Sequence, residues 1–146
     1  MFTRDVSPVG PRNGRFPSVT AQKSASLKIL VVEDDALMRW SIAQMLGDAG
    51  HTIVEAPNGA TAIRAVTNTL APFDVVLLDY RPSDSDDLTL LTTIRKRSPT
   101  SAVVLMTAFG TPELVNRARD LGACRVLNKP FDLHDIGNLV LAVSGE

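Results

Sequence analysis

The sequence predicts an α/β fold built on a doubly wound, five-stranded parallel sheet. From Leu27 onward, short runs of aliphatic and β-branched residues alternate five times with longer amphipathic segments. Runs of this kind bury both faces of a sheet, so the strands are expected to be parallel, with helices on each side. Right-handed crossovers between parallel strands then restrict the topology to a doubly wound arrangement.

The five predicted strands are short apolar runs. They are LKILVVE, TIVEA, DVVLLD, SAVVLMT and CRVLN, at 27–33, 52–56, 74–79, 101–107 and 124–128. Each run lacks the alternation of apolar and polar residues that a half-exposed strand would have, as expected for strands covered on both faces.

A helix is predicted after each strand. The helices lie at 36–50, 58–70, 87–98, 111–122 and 132–143. In the first helix, the apolar spacing predicts one buried face, formed by Leu37, Ile42, Met45 and Leu46. Asp35, Thr111 and Asp132 are placed to cap three of the helices at their amino ends. Pro112 then occupies the first position of the fourth helix, and Gly50 is expected to end the first.

The composition limits the class of protein. The chain has 146 residues, 45% of them hydrophobic and 21% charged, which suits one globular domain. A net charge of −1 offers no field to attract nucleic acid or anionic lipid, and no apolar run is long enough to span a membrane. Cys124 is the only cysteine, which fits a reducing, cytoplasmic compartment. Residues 1–26 are rich in Pro, Gly, Ser and Arg and are expected to be a disordered tail before a domain at 27–146.

Polar residues follow four of the five predicted strands. They are Glu33, Asp34, Asp35, Asp79, Thr107 and Lys129. Ligands of doubly wound sheets bind at this carboxyl edge. Crowded carboxylates repel and raise one another's pKa unless a cation lies among them, and Mg²⁺ prefers such oxygen ligands. Softer metals are disfavoured because His51, His134 and Cys124 are predicted to lie away from this edge.

Each of these residues also has an ordinary structural explanation. Asp35 and Thr107 could be helix caps, and Lys129 could be a solvated loop charge. Taken together, however, a carboxylate, Mg²⁺, a hydroxyl and an ammonium group describe a phosphoryl-acceptor site. Asp79 would attack phosphorus and form an acyl phosphate. Mg²⁺ and Lys129 would neutralise charge on the equatorial oxygens, and the Thr107 hydroxyl would bond one of them.

Four motifs at the strand ends resemble the receiver domain of two-component response regulators. They are ILVVEDD, VVLLDY, MTAFG and NKPFD, in this order, and the resemblance covers about residues 27–143. It implies the flavodoxin-like (βα)5 receiver fold and Mg²⁺-dependent transfer of a phosphoryl group from a phosphohistidine to Asp79. The chain would then be a phosphoacceptor that catalyses its own phosphorylation and dephosphorylation, not a conventional enzyme.

The resemblance implies a role for each residue near the metal. Asp34 would be a direct ligand beside Asp79, and Glu33 would act through water. The backbone carbonyl of Arg81 would be the third protein ligand. The segment DYRPS at 79–83 departs from the family's usual order, in which the proline falls one place later. Because a proline restricts the residue before it, Mg²⁺ is expected to bind more weakly here than with the usual order.

The resemblance also implies which groups would contact the phosphate. Thr107 would be the switch hydroxyl, the backbone N–H of Ala108 would meet the phosphate, and Lys129 would bridge to it. Pro130 would follow a cis peptide bond. The family often has an aromatic residue three places before the lysine, which rotates inward when the threonine moves. That position is Val126 here, so an aromatic movement is not the expected output.

The partners implied by the resemblance are proteins. A histidine kinase or histidine phosphotransfer protein would supply the phosphoryl group. The chain ends at Glu146, soon after the fifth predicted helix, so a single-domain receiver without an output domain is expected. It would signal to a downstream protein through the face of the fourth helix, fifth strand and fifth helix, without direct contact with nucleic acid or membrane. Phe109 is either an exposed contact on that face or a core residue.

Two other classes remain open. A pseudo-receiver, which has the fold but acts as a protein-interaction module without phosphorylation, is favoured by Val126 and by the early Pro82. The complete set of acidic, hydroxyl and lysine groups argues against it. A phosphatase or nucleotide-binding enzyme on a similar sheet is disfavoured because the chain has neither a GxxxxGK[ST] nor a GxGxxG loop. It also has no aspartate at the second position after Asp79 to act as an acid.

Overall fold

The computed structural model describes residues 26–81 and 87–145, in which five strands form one sheet. The strands are β1 (Lys28–Val32), β2 (Thr52–Ala56), β3 (Val75–Asp79), β4 (Ala102–Thr107) and β5 (Ala123–Asn128). The helices are α1 (Ala36–Asp48), α2 (Gly59–Asn68), α3 (Asp87–Arg97), α4 (Pro112–Asp120) and α5 (Leu133–Ser144). The strand order is β2-β1-β3-β4-β5, and all neighbouring pairs are parallel. The predicted doubly wound fold is therefore confirmed.

The helix boundaries follow from the capping residues. The Asp35 carboxylate accepts a hydrogen bond from Met38 N, and the Thr111 hydroxyl accepts one from Leu114 N. Asp132 caps α5 in the same way, as predicted. Beyond α1, Gly50 has a φ of 99°, a conformation that favours glycine and terminates a helix. Every predicted strand or helix ends within two residues of the observed one.

Each face of the sheet is covered by its own apolar layer. One layer contains residues of α1 and α5: Ile42, Leu46, Ile136, Val140 and Val143. The other contains residues of α2, α3 and α4: Ala62, Val66, Leu91, Ile94, Leu114 and Ala118. Successive residues of β1 alternate between the layers, with Ile29 in the first and Leu30 in the second. Burial on both faces explains why the strands contain almost uninterrupted aliphatic residues.

The prediction of the buried α1 face is wrong for one residue. Ile42 and Leu46 are buried and Met45 is partly buried, as predicted, but the side chain of Leu37 is 71% exposed. With 3.6 residues per turn, Leu37 lies about 140° around the helix from Ile42. It therefore faces solvent and contributes nothing to the apolar layer beneath α1.

The strand order determines where functional residues can meet. The chain leaves β1 toward β2 on one side, and it continues through β3, β4 and β5 on the other. In doubly wound sheets, the crevice at such a reversal is the usual binding site. Glu33 and Asp34 directly follow β1, and Asp79 is the last residue of the neighbouring β3. The topology thus brings these three acidic residues to the same crevice.

Some of the sequence-based predictions concern residues outside the described ranges. The predicted tail lies outside them except for Ser26, whose hydroxyl donates a hydrogen bond to Gly50 O at 2.8 Å. The order of Pro82 and Ser83 also lies outside, so its effect on Mg²⁺ binding stays a prediction. Within 26–81 and 87–145, none of the helices combines the length and apolar character needed to cross a bilayer.

A histidine at the end of the α1–β2 connection fixes the start of β1. His51 Nδ1 accepts a hydrogen bond from Leu27 N at 3.0 Å. Burial lowers the pKa of the His51 imidazole below its usual value. The hydrogen bond from Leu27 N also lowers this pKa, because a protonated Nδ1 has no lone pair with which to accept it. The fold therefore favours the neutral form of His51.

We expect this preference to make the stability depend on pH. A lowered pKa in the folded state contributes stability above the unfolded value of about 6.5, and that contribution is lost as the pH falls through the folded pKa. Urea unfolding at about pH 7.5 and about pH 5.5 should show a smaller loss of stability in His51→Gln than in the wild type. Equal losses in the two proteins would contradict this assignment.

Candidate functional site

The backbone places four charged side chains at one edge of the sheet. Glu33 and Asp34 lie between β1 and α1, Asp79 ends β3, and Lys129 follows β5. The backbone N–H of Lys129 donates to Thr107 O at 2.7 Å, which continues the pairing of β4 with β5 and directs the lysine toward the crevice. The Lys129–Pro130 peptide bond is cis, as the resemblance implied.

The three acidic residues form a compact cluster. One carboxylate oxygen from each of Glu33, Asp34 and Asp79 lies within 4.8 Å of the other two. The Glu33 side chain is fully buried, Asp79 is 8% exposed, and Asp34 is 55% exposed. Several carboxylate oxygens with an open side match what Mg²⁺ requires, since it retains water in its coordination shell. The donor set therefore fits Mg²⁺.

Lys129 joins the two buried acids. Its Nζ donates to Glu33 Oε1 at 2.8 Å and to Asp79 Oδ1 at 2.7 Å. Burial alone would lower the pKa of the lysine, but its bonds to Asp79 and Glu33 outweigh this effect and raise that pKa. The ammonium group is thus held in its charged form between two strand ends.

Glu33 is the acid most affected by its surroundings. Burial raises the pKa of its carboxyl group, the hydrogen bond from Lys129 partly offsets this, and the charge of Asp79 raises it further. The backbone also fixes its position, because Asp35 N donates to Glu33 Oε2 at 3.2 Å. Arg39 Nη1 in addition donates to the Glu33 carbonyl at 2.8 Å. Glu33 therefore has little freedom to move toward or away from a bound cation.

The side chain of Arg81 is a site residue that the sequence did not predict. Its guanidinium pairs closely with Asp34 Oδ1, lies 3.4 Å from Asp79 Oδ2 and lies 3.9 Å from Glu33 Oε2. Only the backbone carbonyl of Arg81 was expected to take part, and that role stays a prediction. The signal that could have indicated this contact is a cationic residue two positions after Asp79, just beyond the end of the strand that neighbours β1.

The loop after β4 contains the predicted switch groups. Thr107 is fully buried, and its hydroxyl accepts a hydrogen bond from Phe109 N at 3.0 Å. Thr111, not Thr107, caps α4. Phe109 is 55% exposed, so it is not a core residue, and its role as a contact for a partner stays a prediction. Ala108 lies between these residues, and the contact of its N–H with phosphate stays a prediction.

The same loop packs tightly against the end of β5. A β-carbon added to Gly110 would lie 2.0 Å from Asn128 Oδ1, so a side chain at this position would displace Asn128. Asn128 directly precedes Lys129. Val126, at the position where the family often has an aromatic residue, is partly buried against the layer formed by α2, α3 and α4. The loop is therefore in contact with the strand that carries the lysine.

A cleft of about 210 Å³ opens beside the acidic cluster. Asp34 and Asp79 line this cleft, and Asn58, Gly59 and Leu90 form a further part of its wall. A β-carbon on Gly59 would come within 3.2 Å of the Leu90 side chain, so α2 and α3 approach closely at this wall. The cleft gives small molecules a route to Asp79.

Comparison with known proteins identifies the family. The family model of the response regulator receiver domain matches residues 29–141. The chain is 35% identical over 130 residues to the transcriptional regulatory protein PdtaR of Mycobacterium tuberculosis, covering 88% of this chain and 62% of PdtaR. It is 30% identical over 113 residues to sporulation initiation phosphotransferase F of Bacillus subtilis, covering 77% of this chain and 90% of that protein. The chain therefore spans about three fifths of PdtaR and most of the Bacillus protein.

Solved structures agree with this result. A two-component response regulator from Clostridium difficile superposes with a TM-score of 0.73 at 27% identity, covering 81% of this chain and 95% of that chain. A CheY-like receiver domain protein from Methanospirillum hungatei gives 0.74 at 22% identity, covering 83% and 98%, which supports the fold alone. Receiver domains are, as a family, phosphoacceptor signalling modules of two-component systems. The chain belongs to the response regulator receiver domain family, which confirms the resemblance seen in the sequence.

Removing the lysine should destabilise the metal-free protein. We expect Lys129→Met to lower the free energy of unfolding in EDTA by about 2 kcal/mol, because two buried acids lose their shared cation. Lys96→Met removes an exposed lysine at the end of α3 and is the matched control. Chemical unfolding measures both, and Glu33→Gln should recover part of the loss in the Lys129→Met background. Equal effects at positions 96 and 129 would contradict the prediction.

Proposed function

We propose that the chain accepts a phosphoryl group on Asp79 in a Mg²⁺-dependent reaction. The donor would be a phosphohistidine on a histidine kinase or histidine phosphotransfer protein. The observation that carries the proposal is the pairing of Asp79 Oδ1 with Lys129 Nζ at 2.7 Å, beside two further carboxylates suited to a divalent cation. The family of the chain is one of phosphoacceptor modules, and its place in a two-component system or phosphorelay follows from the same proposal.

The environment of each acid supports Asp79 as the acceptor. Lys129 contacts only two of the three acids in the cluster, Glu33 and Asp79. Both acids line the cleft, but the Glu33 side chain has no exposed surface and accepts hydrogen bonds from Asp35 N and Lys129 Nζ, whereas the Asp79 side chain is 8% exposed. An oxygen of Asp79 would attack phosphorus, so that a P–O bond forms while the P–N bond of the donor breaks. The departing imidazole keeps the electron pair of the broken bond.

The acidic cluster would hold the metal during this transfer. Asp34 and Asp79 would be direct ligands, Glu33 would act through water, and the backbone carbonyl of Arg81 would complete the protein ligands. When bound, Mg²⁺ would supply positive charge to the oxygens of the transferring group. Lys129 would neutralise charge on the same group from the other side, while its position stays fixed by Glu33.

The Thr107 loop would report phosphorylation. The Thr107 hydroxyl would turn to a phosphoryl oxygen, and the backbone N–H of Ala108 would donate to another. In the present structure the hydroxyl accepts from Phe109 N, so this bond would be lost or lengthened. The change would reach Phe109 and the start of α4 without the aromatic movement that Val126 rules out.

The downstream partner would be a protein that binds the face of α4, β5 and α5. The exposed Phe109 supports this face, since a large apolar side chain in solvent is a common feature of contact surfaces. We further propose that residues 27–146 form the receiver domain behind a tail at 1–26, that the protein acts in the cytoplasm, and that it does not contact nucleic acid directly.

Phosphorylation should depend on Asp79 and on Mg²⁺. Intact mass after incubation with acetyl phosphate should rise by one phosphoryl group with Mg²⁺ and stay unchanged in EDTA. Asp79→Asn should not be labelled, because an amide is a much poorer nucleophile than a carboxylate. Asp120→Asn, at the exposed end of α4, is the matched control and should be labelled like the wild type. Undiminished labelling of Asp79→Asn would refute the acceptor assignment.

The conformational response should be local. Hydrogen exchange with and without beryllofluoride, a mimic of the phosphoryl group, should differ most at residues 107–111 and in the first turn of α4. Thr107→Val removes the hydroxyl but keeps the shape of the side chain, so it should abolish most of that difference. A response concentrated in α1 and α2, with residues 107–111 unchanged, would refute this mechanism.

A further inference from the structure

We propose that the Arg81 side chain is an exchangeable internal cation of the acidic cluster. In the metal-free protein it would take the place of the metal, and it would have to withdraw before Mg²⁺ binds. Arg81 would thereby set the affinity for Mg²⁺. This inference rests on the metal site of the proposed function and adds to it a competitor built into the same chain.

The contacts of Arg81 support this role. One guanidinium reaches all three carboxylates of the cluster: it pairs with Asp34, and its Nε lies 3.4 Å from Asp79 Oδ2. Its Nη2 also lies 3.9 Å from Glu33 Oε2. A Mg²⁺ ion held by these carboxylates needs oxygen ligands at about 2.1 Å. Two cations that share the same carboxylates repel each other, so occupation by one opposes occupation by the other.

The two cations of the site divide the carboxylate oxygens between them. Lys129 bonds Oε1 of Glu33 and Oδ1 of Asp79, whereas Arg81 faces Oε2 of Glu33 and Oδ2 of Asp79. A metal ion can therefore replace Arg81 and leave the bonds of Lys129 intact. Asp34, the most exposed acid, lies on the side of Arg81.

The exposure of their side chains indicates that Lys129 stays in the site and that Arg81 can be replaced by a metal ion. The Lys129 side chain is 21% exposed and joins two acids that are almost completely buried. The Arg81 side chain is 43% exposed, so its guanidinium can turn into solvent and recover hydration when a metal ion arrives. Arginine is suited to this position because its planar, forked guanidinium can contact several carboxylates at once.

The test compares Mg²⁺ binding and metal-free stability in three variants. They are Arg81→Gln, Arg81→Lys and Arg64→Gln. Arg64 is exposed on α2, and its substitution removes the same charge outside the cluster. Calorimetric titration gives the dissociation constant for Mg²⁺, and thermal unfolding in EDTA gives the stability without metal.

Arg81→Gln should bind Mg²⁺ about three- to tenfold more tightly than the wild type, because the internal competitor is gone. It should also melt at a lower temperature in EDTA, and saturating Mg²⁺ should remove this difference. Arg81→Lys keeps the charge, but one ammonium cannot span three carboxylates, so its affinity should fall between those of Arg81→Gln and the wild type. Arg64→Gln should match the wild type in both measurements.

Two results would overturn the inference. In the first, Arg81→Gln binds Mg²⁺ no more tightly than the wild type. In the second, Arg81→Lys matches the wild type, so the positive charge at position 81 would explain the Mg²⁺ affinity without the contacts of the guanidinium. Neither measurement involves phosphoryl transfer, so a failure to label Asp79 would refute the proposed function and leave this test intact. If none of the proteins binds Mg²⁺, the proposed metal site fails together with the inference.

Discussion

The site depends on how a fully buried carboxylate is neutralised. Glu33 has no exposed side-chain surface, and a buried ion is costly unless an opposite charge meets it. Lys129 supplies that charge from β5, which lies three strands away from β1 in the sheet order. The same ammonium group also bonds Asp79 at the end of β3. One ion-pair network thus fixes the relative positions of three strand ends, and the chemistry proposed for the cleft requires that geometry.

The rest of the site divides into rigid and adjustable parts. Glu33 and Lys129 are held by backbone and ion-pair contacts. The Arg81 side chain and the Thr107 hydroxyl lie at the border of that rigid part, and in the proposed function each exchanges its present partner for another group. The close contact of Gly110 with Asn128 links the Thr107 loop to the strand that precedes the lysine. A change at Asp79 of the kind proposed would therefore reach the loop without a large rearrangement of the sheet.

The sequence predicts the fold and the positions of the acids well, because both follow from periodic patterns and strand ends. Apolar runs identify all five strands, and the order of the chain brings Glu33, Asp34 and Asp79 to one edge. Side-chain direction is harder to predict. Leu37 was predicted to face the core because it is apolar, but its position around α1 exposes it to solvent. The contacts of the Arg81 guanidinium were not predicted, because the position of a residue after a strand determines its backbone but leaves a long side chain several possible rotamers.

The part of the cleft wall formed by Gly59 and Leu90 has a consequence for how access to Asp79 can change. A β-carbon at position 59 would lie 3.2 Å from the end of the Leu90 side chain, so a substitution there would require Leu90 on α3 to shift slightly. Gly59 and Leu90 carry no charge, so the shape of the cleft depends on helix packing as well as on the charged groups that line it. If Asp79 carries an acyl phosphate as proposed, water that enters through this cleft can hydrolyse it. Substitutions between α2 and α3 would then alter the lifetime of such a phosphate while every charged residue stays in place.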